Sequence, residues 1–274
     1  MLSILIVSLI GTSAIGWIIS RRWRVSATRR KIAAQPFPNA WRAILKRRMP
    51  FFKALPTDLQ LQLKKHIQVF ISEKQFVGCD GLEIDDEIKV TIAAQACLLL
   101  LNRTTDYYPK LKQILVYPSA FIVNNAQADT DGILWENRRV LAGESWENGK
   151  VVLSWSNTLE GAADPSDGNN VVIHEFAHQL DQEDGRANGA PILQSITDYR
   201  AWSIVLGDEF KRLQYCAEHH LPSLFSYYGA TDPAEFFAVI SEVFFERPED
   251  FHQQHPKLYQ ELSHFYKLNP IHWH

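Results

Sequence analysis

Two histidines lie four residues apart in the apolar run VVIHEFAHQLD, residues 171–181, and this run limits the possible folds more than any other part of the chain. Apolar residues at helical spacing predict an α-helix that is largely buried. Residues i and i+4 share a face of such a helix, so His174 and His178 point the same way, one turn apart. Buried imidazoles need polar partners, so the fold has to bring further polar groups to this face.

The same run matches the pattern His-Glu-x-x-His, which is typical of catalytic zinc sites. Two imidazoles fill two tetrahedral positions of the ion, a third protein ligand fills another, and the fourth stays open to a water molecule whose pKa the ion lowers. Glu175 follows the first histidine, where it could take a proton from that water and pass it to a leaving amine. By chance the pattern arises in only about two of a hundred such sequences. We therefore predict one catalytic zinc ion per chain.

A catalytic zinc site needs a third ligand further along the chain. A third histidine at the short HExxHxxGxxH spacing is absent, because residues 182–188 read QEDGRAN. The alternative is a glutamate on a second helix. The segment SYYGATDPAEFFAVISEVFFERP, residues 226–248, predicts such a helix, with Asp232 as its cap and Pro233 in its first position.

Glu235 and Glu242 are the two candidates for this ligand. Their spacing of seven residues puts both on one helical face, but about 10 Å separates them along the axis, so only one can bind the ion. Glu235, in the first turn and near Tyr228, is the predicted ligand, and its alternative role is a capping box. Glu242 is either a hydrogen-bond partner of a ligand histidine or an exposed charge. Asp181 is a further candidate partner for an imidazole N–H or a solvated charge.

Composition narrows the class of protein. A chain of 274 residues with 46% apolar residues is long enough for one large domain, or for a domain with an appendage. The net charge of −3 and the pI of about 6.4 argue against direct binding to nucleic acid, which favours a basic surface. Cys79, Cys97 and Cys216 show no CxxC spacing, which agrees with a reducing compartment.

The N-terminus differs in character from the rest of the chain. Residues 2–20 are uncharged and would span roughly 28 Å as a helix, about the thickness of one hydrocarbon core. All eleven basic residues of the first 57 follow this stretch, and no acidic residue accompanies them. This order favours a membrane anchor with the bulk of the chain in the cytoplasm, tethered to the inner membrane. The alternatives are a packed N-terminal helix and a cleaved signal peptide.

The remaining organisation follows from local patterns. Residues 21–55, interrupted by Pro36, Pro38 and Pro50, predict a basic linker and domain entry that either contacts anionic lipid headgroups or is simply solvated. The main domain is predicted over residues 56–274. In this domain we expect two early helices, at residues 55–70 and 83–102, and two strands, at residues 111–118 and 150–156. The helix that carries the histidines is expected to begin near Asn169 or Asn170. An extended substrate is predicted to lie along residues 151–156.

Three segments carry a resemblance to a known family: HEFAHQLD, YGATDPAEFFAVISEVFFERP and PKLYQELSHFYKLNP. They resemble the Mlc titration factor A family of bacterial zinc metallopeptidases, over a range from about Pro36 to Pro270. The chain is also similar, far more narrowly, to the catalytic domain of anthrax lethal factor, in which a Tyr-Gly pair precedes a Glu-Phe-Phe-Ala helix start.

The resemblance implies a role for each site residue. It implies that His174, His178 and Glu235 bind zinc, that Glu175 is the general base and acid, and that Tyr228 stabilises the oxyanion. It further implies a cytoplasmic protein that binds and sequesters a glucose-responsive transcriptional repressor. A phenol near the metal could donate a hydrogen bond to a tetrahedral intermediate, although most tyrosines are packing residues.

Residues and resemblance together predict a single α/β (α+β) zincin-like domain, mostly helical with a small sheet. In this domain the HExxH motif lies on one helix and the third ligand on a second. The predicted function is that of a zinc metallopeptidase of the gluzincin type, acting on peptides or proteins, with aminopeptidase and endopeptidase activity both left open. One alternative is a repressor-binding regulatory protein in which peptidase activity is secondary. Another is a structural zinc protein without turnover, which the open fourth position argues against.

Overall fold

The computed structural model describes residues 17, 20–128, 134–141, 143–146, 149–185 and 187–273, with side chains outside 121–148. The predicted anchor, residues 1–20, falls outside this part of the chain except for Trp17 and Ser20. Within the described residues, no helix combines the length and the apolar character needed to cross a membrane.

The predicted linker contains two helices. Helix α1 covers residues 20–33, and α2 spans Asn39–Arg48, followed by a 3-10 turn at Pro50–Lys53. The second half of this range is part of the hydrophobic core, through the buried side chains of Ile44, Leu45, Met49 and Phe52. Apolar residues at helical spacing among the basic ones explain the difference, because they give α2 a buried face and a charged one.

Several arginines of this range pair with acidic groups of the domain itself. Arg29 lies 2.7 Å from Glu73 and 3.1 Å from Asp106. Arg48 pairs with Glu87, and Arg47 lies 3.1 Å from the same carboxylate. Part of the basic block therefore neutralises the chain's own acidic residues.

Helices α3 and α4 form where apolar periodicity predicts them. Helix α3 spans Thr57–Glu73 and begins directly after Pro56, without a side-chain cap, so Thr57 is its first helical residue. Helix α4 spans Asp86–Leu98, and the side chain of Asp85 accepts a hydrogen bond from the Ile88 N–H at its start. Ten of its residues are buried, which agrees with the largely buried helix predicted here.

A mixed four-stranded sheet crosses the domain. Its strands, in spatial order, are β1 (Gln75–Gly78), β2 (Gln113–Tyr117), β6 (Lys150–Ser154) and β5 (Gly143–Trp146). The first three are parallel, and β5 pairs antiparallel with β6. Strands β3 (Phe121–Ala128) and β4 (Leu134–Leu141) form a separate antiparallel pair.

The position of β6 corrects the predicted substrate strand. Strand β6 pairs with β2 on one side and with β5 on the other, so its backbone donors and acceptors are already used. An extended peptide cannot add to it. Among the described strands, β5 forms this edge of the sheet, and it packs against the helix that carries the histidines.

Helices make up the C-terminal half. They are α5 (Trp155–Ala163), α6 (Val171–Asp181), α7 (Ile196–Glu218), α8 (Pro233–Glu246), α9 (Pro248–Gln254) and α10 (Pro256–Tyr266). Helix α8 is buried along twelve of its residues and packs against α6, α9 and α10. The architecture is thus mostly helical with a small sheet, as the sequence predicts.

Candidate metal centre

The first turn of α6 is fixed by its cap. The side-chain oxygen of Asn170 accepts hydrogen bonds from the N–H groups of Val172 and Ile173, both at 3.1 Å. Val172, Ile173 and Phe176 are buried in the core. The opposite face of α6 therefore presents His174 to α8.

Helix α8 begins as the sequence predicts. Asp232 caps it by accepting hydrogen bonds from the N–H groups of Ala234 and Glu235, at 2.9 and 3.0 Å, and Pro233 occupies the first helical position. These two N–H groups of the first turn therefore have Asp232 as their acceptor. The Glu235 carboxylate points instead to the histidines of α6.

His174, His178 and Glu235 come together as a possible metal site. Glu235 Oε2 lies 3.0 Å from His174 Nε2 and 3.4 Å from His178 Nε2. One ligand atom from each of the three residues lies within 4.8 Å of those of the other two. Two nitrogens and one carboxylate oxygen thus converge on one point.

Glu242 lies on the other side of the His174 ring. Its Oε1 atom is 2.8 Å from His174 Nδ1, and its Oε2 accepts a 2.5 Å hydrogen bond from the Asn170 N–H. Both ring nitrogens of His174 face carboxylate oxygens, so the protonated imidazole can donate to both, whereas a metal on Nε2 would leave the Nδ1 proton on Glu242. The side chain is buried, so the exposed-charge interpretation of Glu242 is wrong.

Glu246 extends this network, and the sequence analysis missed it. Its carboxylate accepts hydrogen bonds from the Asn170 side-chain amide at 2.9 Å and from the Gly168 N–H at 3.1 Å. Burial raises the pKa of Glu246 to about 9, and the nearby charge of Glu242 acts in the same direction. The four-residue spacing from Glu242, one helical turn, was the signal that could have identified this residue.

Charge interactions within the triad are strong. Burial by itself would lower the pKa of His174, but its hydrogen bonds with Glu235 and Glu242 outweigh burial and raise that pKa well above the usual range. Burial would raise the pKa of Glu235, but its hydrogen bonds with His174 and His178 hold that pKa well below the usual range. The ionised carboxylate that results is the form in which glutamate binds a metal.

Glu175 has a different environment on the same helix. The residue is 4% exposed, and among the described residues its Oε2 atom has no hydrogen-bond partner. Burial raises the pKa of Glu175 to about 7, against the opposing effect of the neighbouring imidazoles. The side chain is therefore suited to exchange a proton near neutral pH.

Tyr228 and Asp181 occupy distinct positions. Tyr228 lies in a 3-10 turn at Tyr227–Ala230, is half exposed, and has its ring centre 5.9 Å from that of His174. Asp181 Oδ2 accepts a 2.7 Å hydrogen bond from the Gly189 N–H, and Oδ1 has no partner among the described residues. Asp181 thus anchors the loop that follows α6, and of the two predicted hydrogen-bond partners of an imidazole, Glu242 is the one that contacts His174.

Comparison with known proteins places the site in a family context. Residues 21–267 match the profile of the glucose-regulated metallo-peptidase M90 family. Mlc titration factor A of Cronobacter sakazakii is 33% identical over 91% of each chain. Mlc titration factor A of Escherichia fergusonii is 34% identical over 81% of this chain and 84% of its own. An uncharacterized protein of Synechocystis is 40% identical over 88% of each chain.

Proposed function

This chain belongs to the glucose-regulated metallo-peptidase M90 family, and from that membership and the geometry of the site we propose that it is a zinc-dependent peptidase. The observation that carries the proposal is the convergence of His174, His178 and Glu235 beside the buried carboxylate of Glu175. A family of metallopeptidases implies a metal and a peptide substrate. The arrangement of these four side chains supports the specific metal and the specific roles.

Zinc fits the donor set. Zinc–ligand distances of about 2.0–2.1 Å in tetrahedral geometry place neighbouring ligand atoms about 3.3 Å apart. Glu235 Oε2 lies 3.0 and 3.4 Å from the two imidazole nitrogens, close to this value. Two histidines and a glutamate leave one open position, as in catalytic zinc sites. Bound there, zinc lowers the pKa of a water molecule towards neutrality and polarises the substrate carbonyl.

Glu175 moves the protons in this proposal. Its Oε2 atom, which has no hydrogen-bond partner in the part of the chain that the structure describes, and its pKa of about 7 suit a group that takes a proton from the attacking water and then gives it to the leaving amine. Burial keeps bulk water from the Glu175 carboxylate. It also stabilises the neutral carboxylic acid that forms once Glu175 has taken the proton from water. Glu242 holds the His174 ring in the tautomer that leaves Nε2 free for the metal.

In this proposal Tyr228 and β5 contact the substrate. The phenol of Tyr228 is exposed beside the His174 ring, where it can donate a hydrogen bond to the oxyanion of the tetrahedral intermediate. Among the described strands β5 lies at the sheet edge, against α6, so an extended peptide could pair with its backbone. This edge replaces the interior strand β6 as the proposed substrate strand.

Digestion of a peptide library by the wild type and by Glu175→Gln tests the proposal. The variant keeps the three ligands but cannot accept a proton, so we expect kcat to fall about 10²–10⁴-fold with zinc retained. The matched control is the Glu218→Gln variant, which changes an exposed glutamate on α7 and should retain full activity. Product termini distinguish aminopeptidase from endopeptidase cleavage. Undiminished hydrolysis by Glu175→Gln would exclude the assigned proton transfer.

We also propose a second function, binding to a sugar-responsive transcriptional repressor, with peptidase activity secondary. The names of the relatives, Mlc titration factor A, and the description of the family as glucose-regulated support it. Co-purification of the repressor with the Glu175→Gln variant separates the two functions, because this variant is expected to keep the fold but not turnover. Absence of a complex with either form would remove the binding function and leave the peptidase.

A further inference from the structure

A cavity of about 400 Å³ shares no lining residue with the metal triad. Its walls are the segment after α4, the loop after α6, the start of α7 and the C-terminal end of α10. The volume falls in the range of small-molecule sites, about 300–1,000 Å³. The cavity is therefore large enough for a ligand that the peptidase mechanism does not use.

Arg103 contributes a guanidinium group to the wall of this cavity. Its buried Nη1 atom has no hydrogen-bond partner among the described residues, and its guanidinium carbon lies 4.0 Å from the centre of the Phe265 ring. Burial lowers the pKa of Arg103, against smaller opposing effects of Tyr266 and Glu183. A buried donor without a hydrogen-bond partner is destabilising, and the guanidinium group lines the cavity, so this group fits an acceptor that comes from outside the chain.

The cationic wall is held in a fixed geometry. The side-chain amide of Asn102 donates a 3.1 Å hydrogen bond to the Lys267 carbonyl, and Gln62 accepts from the Asn102 N–H at 3.1 Å. Asn102 and Lys267 both have left-handed backbones, with φ of 57° and 56°. The residue before Arg103 is thus hydrogen-bonded to Lys267, which links the two chain segments that carry the cationic residues of the wall.

Both signs of charge and an apolar surface line the cavity. Glu183 and Asp198 contribute carboxylates, whereas Leu193 and Phe265 contribute apolar area. A simple anion such as phosphate would be repelled by the carboxylates, and a simple cation would leave Arg103 unpaired. A ligand with a carboxylate, an ammonium group and an apolar side chain complements all three parts of the wall.

We propose that this cavity binds an apolar L-amino acid, with its carboxylate on Arg103 and its ammonium group facing Glu183 and Asp198. The planar guanidinium can hold a carboxylate through two parallel hydrogen bonds. The side chain of the ligand packs against Leu193 and Phe265. This site is independent of the proposed peptidase activity, since none of its residues belongs to the metal centre.

Isothermal titration calorimetry of the full chain tests the proposal with four probes: L-leucine, N-acetyl-L-leucine, L-leucinamide and inorganic phosphate. We expect L-leucine to bind with one site per chain. N-acetylation removes the ammonium charge and amidation removes the carboxylate, so both derivatives should bind at least tenfold more weakly. Phosphate should not bind. Absence of saturable L-leucine binding, or equally tight binding of phosphate or N-acetyl-L-leucine, would overturn the zwitterion site.

Variants identify the residues involved. Arg103→Gln should weaken L-leucine binding at least tenfold, whereas Arg212→Gln, an exposed arginine on α7, should not change it. If Arg103→Gln fails to fold, Asp198→Asn takes its place and should also weaken L-leucine binding. Full affinity in a folded Arg103→Gln or Asp198→Asn variant would contradict the proposal.

Discussion

At the scale of single residues, the glutamates around His174 and His178 differ in their surroundings. Contact with both imidazoles keeps the pKa of Glu235 well below its usual range, although burial opposes this effect. Burial raises the pKa of Glu175 to about 7, and its Oε2 atom has no partner among the described residues. A permanently ionised carboxylate suits a metal ligand, and a carboxylate that titrates near neutrality suits a base.

Metal titration of Glu235→Ala and Glu242→Ala distinguishes the two glutamates on α8. Glu235→Ala removes a proposed ligand, so zinc binding should weaken strongly. Glu242→Ala removes the partner of His174 Nδ1, and affinity or activity should fall about 10–100-fold with the metal still bound. Full zinc affinity in Glu235→Ala, together with its loss in Glu242→Ala, would exchange the two roles.

Glu246 gives a prediction about pH. Its pKa is about 9 in the folded protein and about 4.3 for an ordinary exposed glutamate. Between these values the folded state binds more protons than the unfolded state, so this group lowers stability as pH rises from about 5 to 9. Glu246→Gln cannot titrate, and its free energy of unfolding should therefore decline less steeply over this range.

Urea unfolding at several pH values measures this slope. Glu218→Gln changes an exposed glutamate at the end of α7 and should keep the wild-type dependence. An unchanged slope in Glu246→Gln would show that Glu246 is ionised in the folded protein at neutral pH.

At the scale of secondary structure, the N-terminus of α6 connects three elements. Asn170 caps α6, donates a 3.1 Å hydrogen bond to the Gly161 carbonyl of α5 and donates to Glu246 of α8. Its own N–H binds Glu242, which in turn contacts His174. One buried asparagine therefore sets the position of the helix that carries both histidines.

Asn170→Ala should destabilise the protein and weaken metal binding together. Loss of a cap costs about 0.5–2 kcal/mol, and the buried groups left without partners add to this cost. Ser195→Ala, which removes the cap of α7, is the matched control, because Ser195 accepts from the Asp198 N–H at 3.2 Å. It should lower stability by about 1 kcal/mol and leave zinc affinity unchanged. Equal zinc affinity in both variants would contradict the coupling.

At the scale of the whole molecule, the proposed metal site joins parts of the chain that are distant in sequence. His174 and Glu235 are 61 residues apart, and His174 and Glu242 are 68 apart. Helices α6 and α8 meet through these side chains and through their apolar faces. A metal bound by both helices should therefore stabilise the entire fold.

Removal of the metal should lower the melting temperature. At a free zinc concentration about 100 times Kd, binding adds about 2.7 kcal/mol to the stability of the folded state. For a domain of this size, this corresponds to roughly 5–10 °C. Differential scanning calorimetry with and without a chelator measures the shift, and added zinc should restore it. A chelated protein with an unchanged melting temperature would contradict a metal bridge between α6 and α8.

The sequence by itself determined the features that depend on local spacing. The shared face of His174 and His178 and the common face of Glu235 and Glu242 follow from a period of 3.6 residues. The cap at Asp232 follows from the capping preference of aspartate and from Pro233 directly after it. Apolar runs likewise predicted α3, α4, β2 and β6, because backbone conformation responds to neighbouring residues.

Only the tertiary structure decided how these elements meet. It placed Glu235 on one side of the His174 ring and Glu242 on the other, and it directed Asp181 to the Gly189 loop. It also put β6 in the sheet interior and packed α2 into the core. The physical reason is that side-chain partners and strand neighbours depend on the packing of segments far apart in the chain, and no local period contains that information.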